Sequence, residues 1–233
     1  MPNKHKLVDS YCVECSRLFQ GRVVDVKRNR VKYCSPQCRS KRVGRFYSLT
    51  SNPIKKLVAK HPNHRPFVVL SACVGNFSRS VLIEGILKHH IDKNGLRDKV
   101  FVISGGIMSG VAGEVNNALV DQLSNHGIYF QPHAPKGISN QELRSANLIL
   151  TVTQDVQDVL VKRLQELYPH RPTVVGKSIL FTTLTKMFGN DPDMIDPDCV
   201  GPLFRAETIN RLIGQIERVV KSNIIPALKP LRY

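Results

Sequence analysis

Cys73 and Arg79 stand six positions apart in ACVGNFSRS, residues 72–80, between the apolar run FVVLS and the stretch SVLIEGILKHH. Gly75 permits a tight loop whose successive backbone N–H groups turn inward, and the helix that follows directs its positive N-terminal end to the same spot. Such a loop is an anion pocket. Arg79, reaching back over it, can grip two phosphoryl oxygens with its planar fork, a geometry that lysine lacks. A cysteine beside N–H dipoles and an arginine is favoured as thiolate, the nucleophilic form. Ser80 is placed to donate a hydrogen bond to the sulfur and Asn76 to brace the loop. The parts of a cysteine nucleophile aimed at phosphorus therefore lie within nine residues. C-x5-R also arises by chance, and a buried cysteine after a strand is ordinarily an inert small hydrophobe. The surrounding elements have to decide between the two.

A second set of cysteines lies upstream. Cys12 and Cys15 form C-x2-C, and after eighteen residues Cys34 and Cys38 form C-x3-C. Four thiolates are what a closed tetrahedral structural Zn2+ site requires, and Ser35-Pro36 supplies an N-cap and N1 pair for a helix carrying Cys38. The layout, YCSPQCRSKR above all, resembles a treble-clef or FCS-type finger. Two disulfides or free thiols are the other readings. A module of about 45 residues has too little apolar area to fold confidently alone, so the metal would supply most of its stability.

The chain has 233 residues and a formal net charge of +16. Residues 1–60 hold 15 Lys+Arg against 3 Asp+Glu, and the remaining 173 hold 19 against 15. The basic excess thus belongs to the N-terminal quarter, where it fits a phosphate backbone of nucleic acid or an acidic protein. No base-reading motif accompanies it. The N-terminus lacks an apolar export segment, and no apolar run approaches the roughly 20 residues that span a bilayer. A reducing, cytoplasmic setting without membrane contact is the expectation.

These residues need elements to hold them. From Pro66 onward, short runs rich in Val, Ile and Leu alternate with amphipathic stretches. FVVLSA, VFVISG, NLILTVT and PTVVG read as strands. SVLIEGILKHHI, VAGEVNNALVDQLSNHG, QDVQDVLVKRLQELY and LFRAETINRLIGQIERVVKS read as helices, with a short fifth helix opening at the capping box Ser139–Glu142. Alternation of this kind predicts an α/β fold, a doubly wound parallel four-stranded sheet with helices on both faces. The small N-terminal zinc-binding module would precede it. The expected organisation is a basic finger over 1–45, a linker over 46–65 with one helical turn, and the α/β domain over 66–233. Ligands of such sheets sit at the carboxyl ends of the strands, where Cys73 falls.

The loop and its surroundings resemble the low-molecular-weight protein tyrosine phosphatase family. CVGNFSRS is similar to the family's C-x-G-N-x-C-R-S, and ISGG (103–106) stands where members have an S-A-G strand end. ALVDQLSNHGIYFQPHAPKGISNQELRSANLILTVT (118–153) is similar to the family's succession of helix, H-G-I, H-x-A-x-x-(L/I) and A-D-L-(I/V)-L-x-M. Asp196-Pro197 resembles the D-P acid loop, and the likeness runs from about Pro66 to Ile224. It implies that Cys73 forms a phosphocysteine intermediate, that Arg79 binds phosphate with Val74, Gly75, Asn76, Phe77, Ser78 and Ser80 around it, and that Asp196 is the general acid. Breaking a phosphoester independently needs an acid for the departing oxygen. Asp191 and Asp193 are rival acids in the same stretch, and DPDMIDPD also reads as a solvated acidic turn.

This chain departs from the family pattern at specific positions. Ser78 stands at the second loop cysteine. Asp198, followed by Cys199, stands where an aromatic residue follows D-P. IMSGVAG (107–113) offers only Met108 where members often place an aromatic. Phe77 occupies a position where a small threonine marks the arginine-phosphatase branch, which speaks against phosphoarginine. The resemblance thus implies hydrolysis of a phosphorylated protein or another phosphomonoester. Two other classes remain. One is a non-catalytic phosphate-sensing or nucleic-acid-binding module. The other is an arsenate-reductase-like redox enzyme, for which only Cys199 remains outside the finger as a relay thiol. Of the histidines, His5 is a competing metal ligand, and His61, His64, His89, His90, His126, His133 and His170 read as surface or turn residues.

Overall fold

The computed structural model describes residues 7–11, 18–22, 52–62, 64–108, 113–185 and 193–232. The chain divides into two compact units, Met1–Thr50 and Ser51–Tyr233. In the first, strand β1 (Leu7–Tyr11) pairs antiparallel with β2 (Leu18–Arg22), Leu7 opposite Arg22 and Tyr11 opposite Leu18. Cys12, Cys15, Cys34 and Cys38, proposed as zinc ligands, lie outside the described residues, as does His5.

The second unit opens with helix α1 (Pro53–Ala59), in the stretch read as linker. Asn52 caps it by accepting from the Ile54 N–H, and Pro53 supplies a preset φ at its start. Ile54 and Val58, four apart on one face, are buried. Strand β3 (Phe67–Cys73) is buried almost throughout, as a central strand of a parallel sheet must be. It leads through the loop into helix α2 (Arg79–Lys93), whose residues 79–87 are all buried. Then follow β4 (Val100–Gly106), α3 (Asn117–Asn125), α4 (Asn140–Ser145), β5 (Leu148–Thr151), α5 (Gln154–Leu167), β6 (Ser178–Leu180), α6 (Pro202–Val219) and the short α7 (Ile225–Leu228).

The sheet is parallel with order β4-β3-β5-β6, the four-stranded arrangement expected. Chain connections run outward in opposite directions from the adjacent β3 and β5, which makes their carboxyl ends the crevice of the fold. Leu70 and Ala72 of β3 pack with Ile149 and with Val156, Leu160 and Leu164 of α5 on one face. On the other face the Ser71 hydroxyl donates to the Ser80 carbonyl of α2. Helices α2, α3 and α6 pack together there.

Two elements differ from the sequence expectation. PTVVG is not a strand: residues 172–177 form a 3₁₀ turn opened by Pro172, and the fourth strand is displaced to Ser178–Leu180, where Ser178 meets Ile149. Proline at the first position favours the helical turn and has no N–H for a ladder. The helix read over 111–127 begins only at Asn117, because Asn116 accepts from the Ala118 N–H and caps it there. The capping box at Ser139 is present, with Glu142 accepting from the Ser139 N–H and the Ser139 hydroxyl accepting from the Glu142 N–H.

Candidate active site

The carboxyl end of β3 delivers Cys73 into the loop, where its Sγ accepts from the Asn76 N–H at 3.1 Å and lies 3.0 Å from Ser80 Oγ. Asn76 has φ 64°, the only positive φ at a non-glycine residue among the described residues. That left-handed turn folds the loop inward, and the asparagine side chain holds it there. Its Nδ2 donates to Ser80 Oγ at 3.0 Å and to Ser104 Oγ at 2.8 Å, and its Oδ1 accepts from the Lys136 N–H at 3.2 Å. Ser80 Oγ, which accepts from Asn76, can also give its hydrogen to the sulfur.

The network continues away from the sulfur. Ser104 donates to Glu84 Oε2 at 2.6 Å, and His133 Nε2 lies 3.1 Å from the same oxygen. Lys88 donates to Glu84 Oε1 at 2.6 Å. Glu84 is 1% exposed, so these partners are what make a buried carboxylate tolerable. The sequence reading missed Glu84 and Ser104 and placed His133 on the surface. One signal was present: Glu84 interrupts the apolar run VLIEGIL.

Glycines at the end of β4 let the loop lie flat on the sheet. A Cβ on Gly106 would lie 2.6 Å from the Val74 carbonyl oxygen and 3.0 Å from the Gly75 carbonyl carbon. The Ile107 and Met108 N–H groups donate to the Cys73 and Val74 carbonyls at 3.0 and 3.1 Å. Phe77 fills the space over Gly75 and Gly113, where a Cβ on either would come within 2.7 Å of its ring.

Arg79, buried at the start of α2, closes the site. Its Nη2 donates to Asp196 Oδ2 at 2.6 Å and its Nη1 to the Met194 carbonyl at 3.3 Å, while its buried Nε has no protein partner. Asp196 is thereby brought across 117 residues of sequence to the phosphate loop. Of the rival acids, Asp193 accepts from the Gln154 N–H at the start of α5, and Asp191 lies outside the described residues. Asp198, exposed, accepts from Ser78 Oγ at 2.5 Å and from Asn116 Nδ2 at 3.1 Å. Cys73 and Cys199 are both free thiols, the first buried and the second exposed. Val74 of the loop, Met108, whose N–H donates to the Val74 carbonyl, and Ile195, next to Asp196, are each at least one-third exposed. No group of three or more potential metal ligands occurs among the described residues.

A cysteine loop with its arginine, at the switch point of a four-stranded parallel sheet, is the arrangement of a cysteine-dependent phosphatase domain. Residues 68–176 match the family model described as low molecular weight phosphotyrosine protein phosphatase, a match that supports a phosphatase enzyme. Several solved structures share the fold. A mutant of YwlE from Bacillus subtilis is 21% identical with a TM-score of 0.57, covering 70% of this chain and 99% of its own. A protein tyrosine phosphatase from Entamoeba histolytica is 18% identical with a TM-score of 0.60, covering 72% and 99%. The YwlE arginine phosphatase from Geobacillus stearothermophilus is 22% identical with a TM-score of 0.55, covering 71% and 94%. No curated protein matches the chain. No helix among the described residues is long and apolar enough to cross a membrane.

Proposed function

We propose that the second unit hydrolyses a phosphomonoester through a covalent phosphocysteine on Cys73. The thiolate attacks phosphorus, the bond to the leaving oxygen breaks, and Asp196 gives that oxygen its proton. Water then attacks the phosphocysteine, Asp196 takes a proton from it, and the thiolate leaves inorganic phosphate behind. The loop N–H groups of Val74 through Arg79, with the Arg79 guanidinium, carry the charge on the equatorial oxygens. The observation that carries this reading is that Arg79, at the end of the loop whose cysteine sulfur already accepts a backbone N–H, reaches Asp196 across 117 residues of sequence. The orphaned Nε of Arg79 supports it, since a buried donor without a partner is one that a bound anion would satisfy.

The substrate proposed is a phosphorylated protein side chain, phosphotyrosine before phosphoarginine. Phe77 fills the loop where a small residue would admit a guanidinium, and the exposed residues Val74, Met108 and Ile195 are apolar. For the first unit, we propose a structural zinc ion on Cys12, Cys15, Cys34 and Cys38, with the basic surface around it directed to nucleic acid or an acidic protein in the cytoplasm. Cysteine spacing and the +9 charge of residues 1–50 (12 Lys+Arg against 3 Asp+Glu) support this.

The test is hydrolysis of phenyl phosphate between about pH 5 and 7 by the wild type, Cys73→Ser and Asp196→Ala. Cys73→Ser is expected to abolish turnover, and Asp196→Ala to lower it by about 10²–10⁴-fold, the usual worth of a general acid. A folded wild type with no turnover would point to a phosphate-binding module instead.

A further inference from the structure

Two positions at which this chain departs from the family pattern meet each other in space. Ser78, in the phosphate loop, donates to Asp198 Oδ2 at 2.5 Å across 120 residues of sequence. Asp198 Oδ1 accepts from Asn116 Nδ2 at 3.1 Å. The orientation of that amide is set independently, because its Oδ1 accepts from the Ala118 N–H as the cap of α3. The backbone N–H of Asp198 donates to Asp196 Oδ1 at 3.2 Å, while Asp196 Oδ2 is taken by Arg79. Both oxygens of the proposed acid are thus held, one by the arginine and one by the residue whose own side chain is tied to the phosphate loop and to the start of α3.

We propose that Asp198 is a positioning residue, and that the Ser78–Asp198 pair fixes the angle at which Asp196 meets the leaving oxygen. The inference rests on the phosphocysteine reading. Asp198 does not touch the reacting atoms. It joins three segments, and a charged acceptor at 2.5 Å from a hydroxyl is the strong, directional kind of hydrogen bond. Without it, the acid loop keeps its arginine contact but loses the second restraint on the carboxylate plane.

Leaving-group dependence separates this role from a general loosening of the fold. Phenyl phosphate departs as a basic phenolate that needs Asp196's proton; 4-nitrophenyl phosphate departs as a far weaker base that hardly does. With kcat/KM as readout, Asp198→Ala is expected to lower phenyl phosphate hydrolysis about tenfold, a fraction of a general acid's full worth, and to leave 4-nitrophenyl phosphate within about threefold, while Ser78→Ala, a change within the phosphate loop, is expected to lower the ratio of phenyl to 4-nitrophenyl phosphate hydrolysis about tenfold. The double variant should be no worse than the worse single one, because the two changes remove the same contact. Asp198→Asn, which keeps an acceptor for Ser78, should recover most of the loss. Equal losses on both esters, or losses that multiply in the double variant, would overturn the assignment while leaving the hydrolase reading intact. A folded wild type that cleaves neither ester would sink both.

Discussion

Asn76 concentrates the local demands of the site in one side chain. It is fully buried, sits at φ 64°, and spends both amide hydrogens and its oxygen on loop, strand end and the segment at Lys136. Asn76→Ala removes those bonds and leaves a residue that tolerates a positive φ poorly. At about 1 kcal/mol net for each of the three bonds and 1–3 kcal/mol for the strain, a loss of about 4–6 kcal/mol in unfolding free energy is expected. Asn76→Gly relieves the strain and should lose measurably less in the same urea titration; equal losses would assign the whole cost to the hydrogen bonds. The residues nearest the sulfur were readable because their types and spacing have a chemical logic of their own. Glu84, Ser104 and His133 were not, because a polar residue in a helix or turn is ordinarily on the surface, and only the tertiary fold turns these three toward each other. Asp198 was legible as a departure from a pattern, but not as the partner of Ser78, which no local rule could supply.

At the level of elements, the close approach of β4 to the phosphate loop sets a hard limit. Gly106→Ala puts a methyl group against backbone atoms of Val74 and Gly75, which cannot swing away as a side chain can. A displacement near 1 Å in a catalytic loop costs on the order of a hundredfold in rate, so kcat/KM for 4-nitrophenyl phosphate should fall by that order with the thermal transition retained. Helix packing carries a pH dependence. His90 of α2 is buried with its Nε2 2.9 Å from Glu217 of α6; Lys221 and His89 also face it. Burial, reinforced by Lys221 and His89, outweighs the carboxylate and lowers its pKa below the ordinary 6.5. The unfolded chain then binds the proton more readily, so this contribution is complete above 6.5 and is lost as pH falls below it. Unfolding free energy measured from pH 7.5 to 5 should decline below about 6.5, and His90→Gln should flatten that decline. Strands and helices were mostly legible from their periodicity, since β3 and α5 carry strong apolar patterns. PTVVG misled because β-branched residues favour a strand, whereas Pro172 begins a turn and the sheet register places the fourth strand six residues later.

For the whole molecule, two compact units imply two separable properties. If the four cysteines hold zinc, metal analysis of the purified chain should give about one zinc per chain. A chelator that removes it should abolish any binding of labelled RNA or DNA and leave ester hydrolysis unchanged. That binding, followed by fluorescence anisotropy, should weaken steeply between about 50 and 200 mM salt. The sequence made the asymmetry of charge plain, and α1 falls in the stretch read as a linker with one helical turn, where two buried apolar residues are too few to stand out as a full helix. The contact between Arg79 and Asp196 joins residues 117 apart, and this gives the site a place in time. During synthesis, at about 5–20 residues per second, the cysteine loop precedes its acid by on the order of ten seconds. For that interval the nascent chain would hold the proposed nucleophile without its proposed proton donor, so hydrolysis by this route would have to wait for the synthesis of Asp196.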